Sequence, residues 1–332
     1  MELFSHVSRE DSMSEPGVPQ RFLELAAAAV APQQLSDEGL LARFGAPEEV
    51  GLAAGQVWRA CWEETSVLVL ILALATREVH AVPVTIDPPG EDEACLVVDG
   101  ARTAFGVKAT VWAGLAGPVP MRVLDRVVDS WGLDLVAWAA EMAAGGSPSV
   151  PVGARQGSVP ESIFDASADV RAVLEDDLEV LQSVPGLPAA EGSAKVVPLA
   201  ELLKGRVPDL LALGTALGLS QPEVMKILRG SAPMALGQVE AVADVTGLPV
   251  EAVAATVRPL PVALVAAAEH PRWRQAWKHR AKRLGVSEEN ARLTGGYGAF
   301  ALAARETGGA EPDWESRLRQ FLRGEDLAGP GT

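Results

Sequence analysis

The sequence predicts an α+β multidomain chain: a small, mostly antiparallel β-barrel followed by an all-α unit with a helical extension. Three observations predict it. The 332 residues leave room for about two domains. Hydrophobic residues make up 48% of the chain, enough for buried cores and incompatible with global disorder. Between residues 55 and 130 short Val-rich runs alternate with turn clusters, whereas beyond Val197 the apolar spacing turns helical.

Residues 1–51 read as a helical segment: FLELAAAAV, then DEGLLARF, with Ser36 and Asp37 available as an N-cap and Gly45 as a stop. Residues 52–144 read as the barrel domain. GQVWRACW, SVLVLILALA, EVHAVPVT, ACLVVDG, ATVWAGL and MRVLDRVV are separated by turn clusters such as DPPGEDE and AGPVP, the texture of hairpins. GLDLVAWAAEMAA closes this domain as a helix. Residues 145–196 read as a linker: an acidic amphipathic helix, DASADVRAVLEDDLEVLQSV, lies between the Gly/Ser/Pro-rich GGSPSVPVGARQGSVPES and PGLPAAEGSA. Residues 197–258 form a multi-helix unit, and 259–326 its C-terminal extension.

Composition excludes several classes. Cys61 and Cys95 cannot build a disulfide framework, and MELFSHVSREDSMSEPG lacks the basic-then-apolar order of a secretory leader. Both point to a cytoplasmic protein. The longest apolar run, Val67–Ala75, is about half of what a bilayer-spanning helix needs. Four scattered histidines without HExxH or CxxC argue against a metal, and no Gly-rich phosphate loop is present, so no cofactor is expected. The net charge of −16 is uneven: residues 1–192 carry 11 basic against 29 acidic side chains, and residues 261–332 carry 11 against 9. A polyanion would meet the back of the chain and be repelled by the front, whose acidity suits a protein partner.

The most informative stretch runs from Leu210 to Val257. A helix containing Leu213 and Leu217 ends at Gly218; Ser220 can cap a second helix, Gln221 to Arg229, stopped by Gly230. Two helices joined by a short Gly-containing turn make a helix-turn-helix. Leu236–Thr246 and a helix opened by Pro249 follow. The run L-x-x-x-L-G-L-S-Q, the Arg-Gly pair after the second helix and the ending VTGLPVEAV resemble the XRE family of lambda-repressor and Cro-like DNA-binding domains over residues 197–257. The resemblance implies that Gln221–Arg229 lies in the DNA major groove. Gln221 and Lys226 would then address base edges, and Ser220 and Arg229 would sit near phosphates. Binding as a homodimer to double-stranded DNA is also implied. Pro222, Glu223 and the apolar Met225 and Leu228 support the alternative that this face meets protein.

After RPLP comes HPRWRQAWKHRAKRLG. Trp273, Trp277, Leu284 and the Arg280 stem share one helical face, while Arg274, Lys278 and Lys282 form an i, i+4, i+8 stripe on the other. The stripe suits phosphate contact, or is a solvated surface. Tyr297, after Gly295 and Gly296, reads as a buried ring at a tight helix start.

The order of runs over residues 52–131 resembles a MazF/PemK-type, SH3-like toxin barrel, whose active members are endoribonucleases. That resemblance implies RNA cleavage as a rival function, resting on Thr85 and Arg59. The acidic Glu63-Glu64-Thr65 loop lacks the cation such chemistry needs, so the barrel reads as a catalytically inactive sensor or interaction domain. The expectation is a DNA-binding regulator. An endoribonuclease, or a non-enzymatic component of a toxin-antitoxin or anti-phage system, stands as the alternative.

Overall fold

The computed structural model describes residues 32–86, 90–159, 166–190, 196–205, 209–306 and 312–327. The helix expected over 22–30 lies outside them. Helix α1 (Asp37–Phe44) starts where Ser36 Oγ accepts from the Gly39 N–H at 3.1 Å, and stops at Gly45, whose φ of +80° suits glycine.

An antiparallel sheet follows, made of β1 (Gln56–Trp62), β2 (Thr65–Leu74), β3 (Glu78–Ile86), β4 (Cys95–Val98), β5 (Ala109–Trp112), β6 (Gly117–Pro120), β7 (Leu124–Ser130) and β8 (Ala154–Gln156). The strand order is β7-β1-β2-β3-β5-β4-β8, with β6 also on β3. This path is open, and the closed barrel expected from the sequence does not form among the described residues. The reason lies in how its faces are covered. Along β2, Val67, Val69 and Ile71 enter one core, while Leu68, Leu70 and Leu72 enter the other. Helix α2 (Leu133–Ala143) covers the second face through Leu135, Val136 and Trp138. Helix α3 (Ser167–Ser183) covers the first through Leu174, Leu178 and Leu181. A strand buried on both faces reads as a continuous apolar run, which is why SVLVLILALA shows no alternation.

Residues 145–196 therefore do more than link. They supply β8, which pairs with β4, and α3, which seals a core. The two-residue strand β9 (Ala189–Ala190) then pairs in parallel with β10 (Leu260–Pro261). Between these two partners the chain builds a five-helix unit: α4 (Leu199–Leu202), α5 (Leu210–Leu217), α6 (Gln221–Leu228), α7 (Leu236–Thr246) and α8 (Val250–Ala254). It has its own core, including Leu199, Leu213, Val224, Ile227, Val242 and Val253.

The extension comprises α9 (Val262–Glu269), α10 (Arg274–Leu284), α11 (Glu288–Glu306) and α12 (Trp314–Leu327), around Trp277 and Leu264. Among the described residues no helix is long and apolar enough to cross a membrane. Gly295, Gly296 and Tyr297 lie within α11, not at its start. Tyr297 donates its hydroxyl to the Arg258 carbonyl, and burial pushes its pKa up to about 12. The glycines serve close packing: a Cβ on Gly295 would overlap the Trp277 ring, and one on Gly298 the Phe321 ring.

Gly295→Ala should therefore lower the melting temperature by several degrees. Overpacking of about 1–3 kcal/mol outweighs the roughly 1 kcal/mol that alanine gains in a helix. Gly324→Ala in α12, where the space is open, should raise it slightly in the same calorimetric scan.

Candidate nucleic-acid interface

Helices α5 and α6 form with a three-residue turn between them, as their local chemistry dictates. Asp209 caps α5 by accepting from the Leu211 and Ala212 N–H groups at 2.9 and 3.1 Å. Gly218 takes the left-handed conformation (φ +62°) that turns the chain, and Glu223 accepts from the Ser220 N–H at 2.8 Å and from its Oγ at 2.5 Å. These bonds hold the Glu223 carboxyl below its usual pKa. Ser220 is thus tied into the cap of α6.

Val224, Ile227 and Leu228 of α6 are buried. Leu228, read from the sequence as apolar on the outward face, belongs to the core; Met225 is only half-buried. At about 100° per residue, Pro222, Lys226 and Arg229 point directly away from that core, with Gln221 on the flank. All four are exposed, and neither Lys226 nor Arg229 forms an ion pair among the described residues.

The basic stripe of α10 has a different fate. Arg274 is only 2% exposed: it donates to the Cys61 carbonyl at 2.6 Å and to the Val123 carbonyl, and pairs with Glu288 at 3.3 Å. Lys278 is bound to Asp125, which also accepts from Arg59 and, at 3.0 Å, from Gln275. Of the three, only Lys282 is exposed. Arg274 and Lys278 are therefore committed to the sheet and cannot form a phosphate-contacting surface with Lys282. Leu284, expected beside the tryptophans, is exposed instead.

These contacts form an ion-pair seam between β1, β7 and the extension. Burial alone would raise the pKa of Asp125, but the hydrogen bonds from Lys278 and Arg59 outweigh it and hold the carboxyl below its ordinary value. Nearby, the fully buried carboxylate of Glu269 accepts from Arg77 at 2.9 and 3.0 Å and from the Leu187 N–H at 2.7 Å, with Arg122 at 3.6 Å. Arg292, buried against Glu288 and the Arg122 carbonyl, has its pKa pushed down to about 10 by desolvation. Trp62, at the end of β1, lies under two guanidiniums, those of Arg274 and Arg292, at 5.7 and 5.6 Å.

The residues of the nuclease alternative do not converge. Arg59 pairs across the sheet with Leu68, and Leu68 with Val84, which places Arg59 on the face of Val84. Thr85, the next residue, points to the opposite face, where it accepts from Trp112 Nε1 at 3.1 Å. Among the described residues no cluster of three or more His, Cys, Asp or Glu side chains could hold a metal ion.

No protein-family model and no curated protein matches the sequence. The site thus rests on geometry alone. Sequence reasoning missed Asp125, Glu269, Glu288 and Trp62, which absorb the basic side chains. Lys278 and Asp125 are 153 residues apart, and no local pattern joins them.

Asp125→Ala should destabilise the protein by about 1–3 kcal/mol in urea titrations. That is below the range for fully buried pairs, because Lys278, 36% exposed, and Arg59 can turn to water. Adding Lys278→Met should cost less than the sum of the single changes. His270 supplies a pH signature. Burial, then the nearby Arg272, pushes its pKa down to about 4, and its Nδ1 accepts from the Arg272 N–H at 3.3 Å. The unfolded chain takes up this proton near pH 6.5, so the His270 contribution is complete above that pH. It is lost as pH falls toward 4, by roughly 1–3 kcal/mol. His270→Asn, which keeps a cap acceptor, should flatten this part of the stability profile.

Proposed function

We propose that the chain is a DNA-binding transcriptional regulator of the XRE type, reading duplex DNA with α6 as a homodimer. The observation that carries the reading is a capped pair of helices whose second member presents Lys226 and Arg229 outward and Gln221 on its exposed flank, with neither cation in an ion pair among the described residues. On this reading Gln221 and Lys226 meet base edges, and Arg229 a phosphate. The acidic sheet unit is its scaffold and its partner- or ligand-responsive part. With Arg274 and Lys278 taken up internally, the contact falls mainly to α6, so binding is modest and few phosphates are neutralised.

A specific feature favours protein contact as the second reading. Leu211 of α5 is 81% exposed beside a concavity of about 440 Å³ lined by Leu210, Leu211, Gly214, Thr215, Leu219 and Gln221. An exposed leucine at a pocket suits a partner's apolar side chain.

Fluorescence anisotropy on mixed duplex DNA across a salt series separates the two. The regulator reading expects affinity to fall with salt at about −0.9 in log–log slope per phosphate neutralised, and Lys226→Ala/Arg229→Ala to weaken binding and flatten the slope. Arg274→Ala should leave the slope unchanged once stability is matched. Absence of binding at low salt would overturn the regulator reading in favour of protein contact.

A further inference from the structure

A cleft of about 460 Å³ separates the helix-turn-helix from the start of α11. Its two walls come from different cores. Leu219 and Ile227 belong to the five-helix unit, and Leu293 to the extension. Leu284 and Val286, at the turn between α10 and α11, line the mouth and are 49% and 43% exposed. The cleft has the size of small-molecule sites and is mainly apolar, with a few polar groups converging on it.

The polar groups decide what would fit. Lys226 is the only cation on the lining and has no ion pair among the described residues. The Glu223 carboxylate is engaged by the Ser220 N–H and hydroxyl. Gln238 accepts from the Ala235 N–H through Oε1 at 3.0 Å, which leaves its amide N–H groups as donors. The apolar floor is edged by the Lys226 ammonium, the Gln238 amide, Asn290 and Thr294, and by the Glu223 carboxylate, which its two Ser220 donors already engage; Lys226 is left to meet a single negative head on an apolar body.

We infer that this cleft is a binding site for a small apolar organic anion, a carboxylate or sulfonate on an aliphatic or aromatic body, held through Lys226. Because Lys226 also lies on the outward face of α6, occupancy would withdraw its ammonium from DNA; this coupling, unlike the binding itself, rests on the regulator reading above.

The test uses the full chain and 1-anilinonaphthalene-8-sulfonate as probe. Saturable binding at one site per chain is expected, with decanoate competing and decyltrimethylammonium failing to compete. Leu284→Glu and Val286→Glu, at exposed positions, should each weaken the probe at least tenfold, Lys226→Ala several-fold, and Leu284→Lys should strengthen it. Non-saturating fluorescence, or equal affinity in all variants, would overturn the site. Equal competition by the cation would overturn the assignment to anions. Dye binding without DNA binding fails the regulator reading and leaves the cleft standing; DNA binding without saturable dye binding fails the cleft alone.

Discussion

Two buried carboxylates, Asp125 and Glu269, set the constraint to which the rest of the molecule answers. A carboxylate removed from water must be met by cations and N–H donors, or its desolvation outweighs the burial around it. Asp125 sits on β7 and draws in Arg59 from β1 and Lys278 from α10; Glu269 ends α9 and draws in Arg77 and Arg122 from the sheet unit. Each carboxylate thus recruits across the same boundary in opposite directions. Apolar contact tolerates sliding, whereas charged hydrogen bonds of this kind fix a register.

This arrangement redistributes the positive charge of the back third. Arg274 and Lys278, which a helical wheel sets on an outer stripe, are turned inward by the sheet, and Trp62 lies under the guanidiniums of Arg274 and Arg292. The five-helix unit takes no part in the seam and keeps its own core. Its exposed cations, Lys226 and Arg229, are therefore not drawn into neutralising the acidic front. The molecule separates two uses of basic residues: the extension spends them on architecture, and α6 holds them at the surface.

Local structure was legible in the sequence wherever local chemistry dictates it. Ser36 and Gly45 bound α1, and Leu236–Thr246 emerged with the expected limits. The Gly218 turn and the Ser220 cap place the helix-turn-helix because each acts within a few residues. What escaped depended on distant partners. The sheet reads as a barrel because hairpin patterning says nothing about whether the last strand meets the first; α3, expected in a linker, covers the face that a barrel would close on itself. The Arg274/Lys278 stripe reads as a polyanion surface because periodicity shows where a side chain points, not what awaits it there. Gly295 and Gly296 read as a tight helix start before Tyr297, and the Trp277 ring explains why no side chain fits at Gly295.

The short ladder between Ala189–Ala190 and Leu260–Pro261 has an architectural meaning of its own. Parallel pairing sets the strand leading into the five-helix unit beside the strand leading out, roughly 5 Å apart. The unit is thus an insert on a neck: its two ends coincide, so the body of the protein need not stretch to accommodate it. In topology the five-helix unit is an insertion between β9 and β10, and Ala235 ties it into the core of the extension.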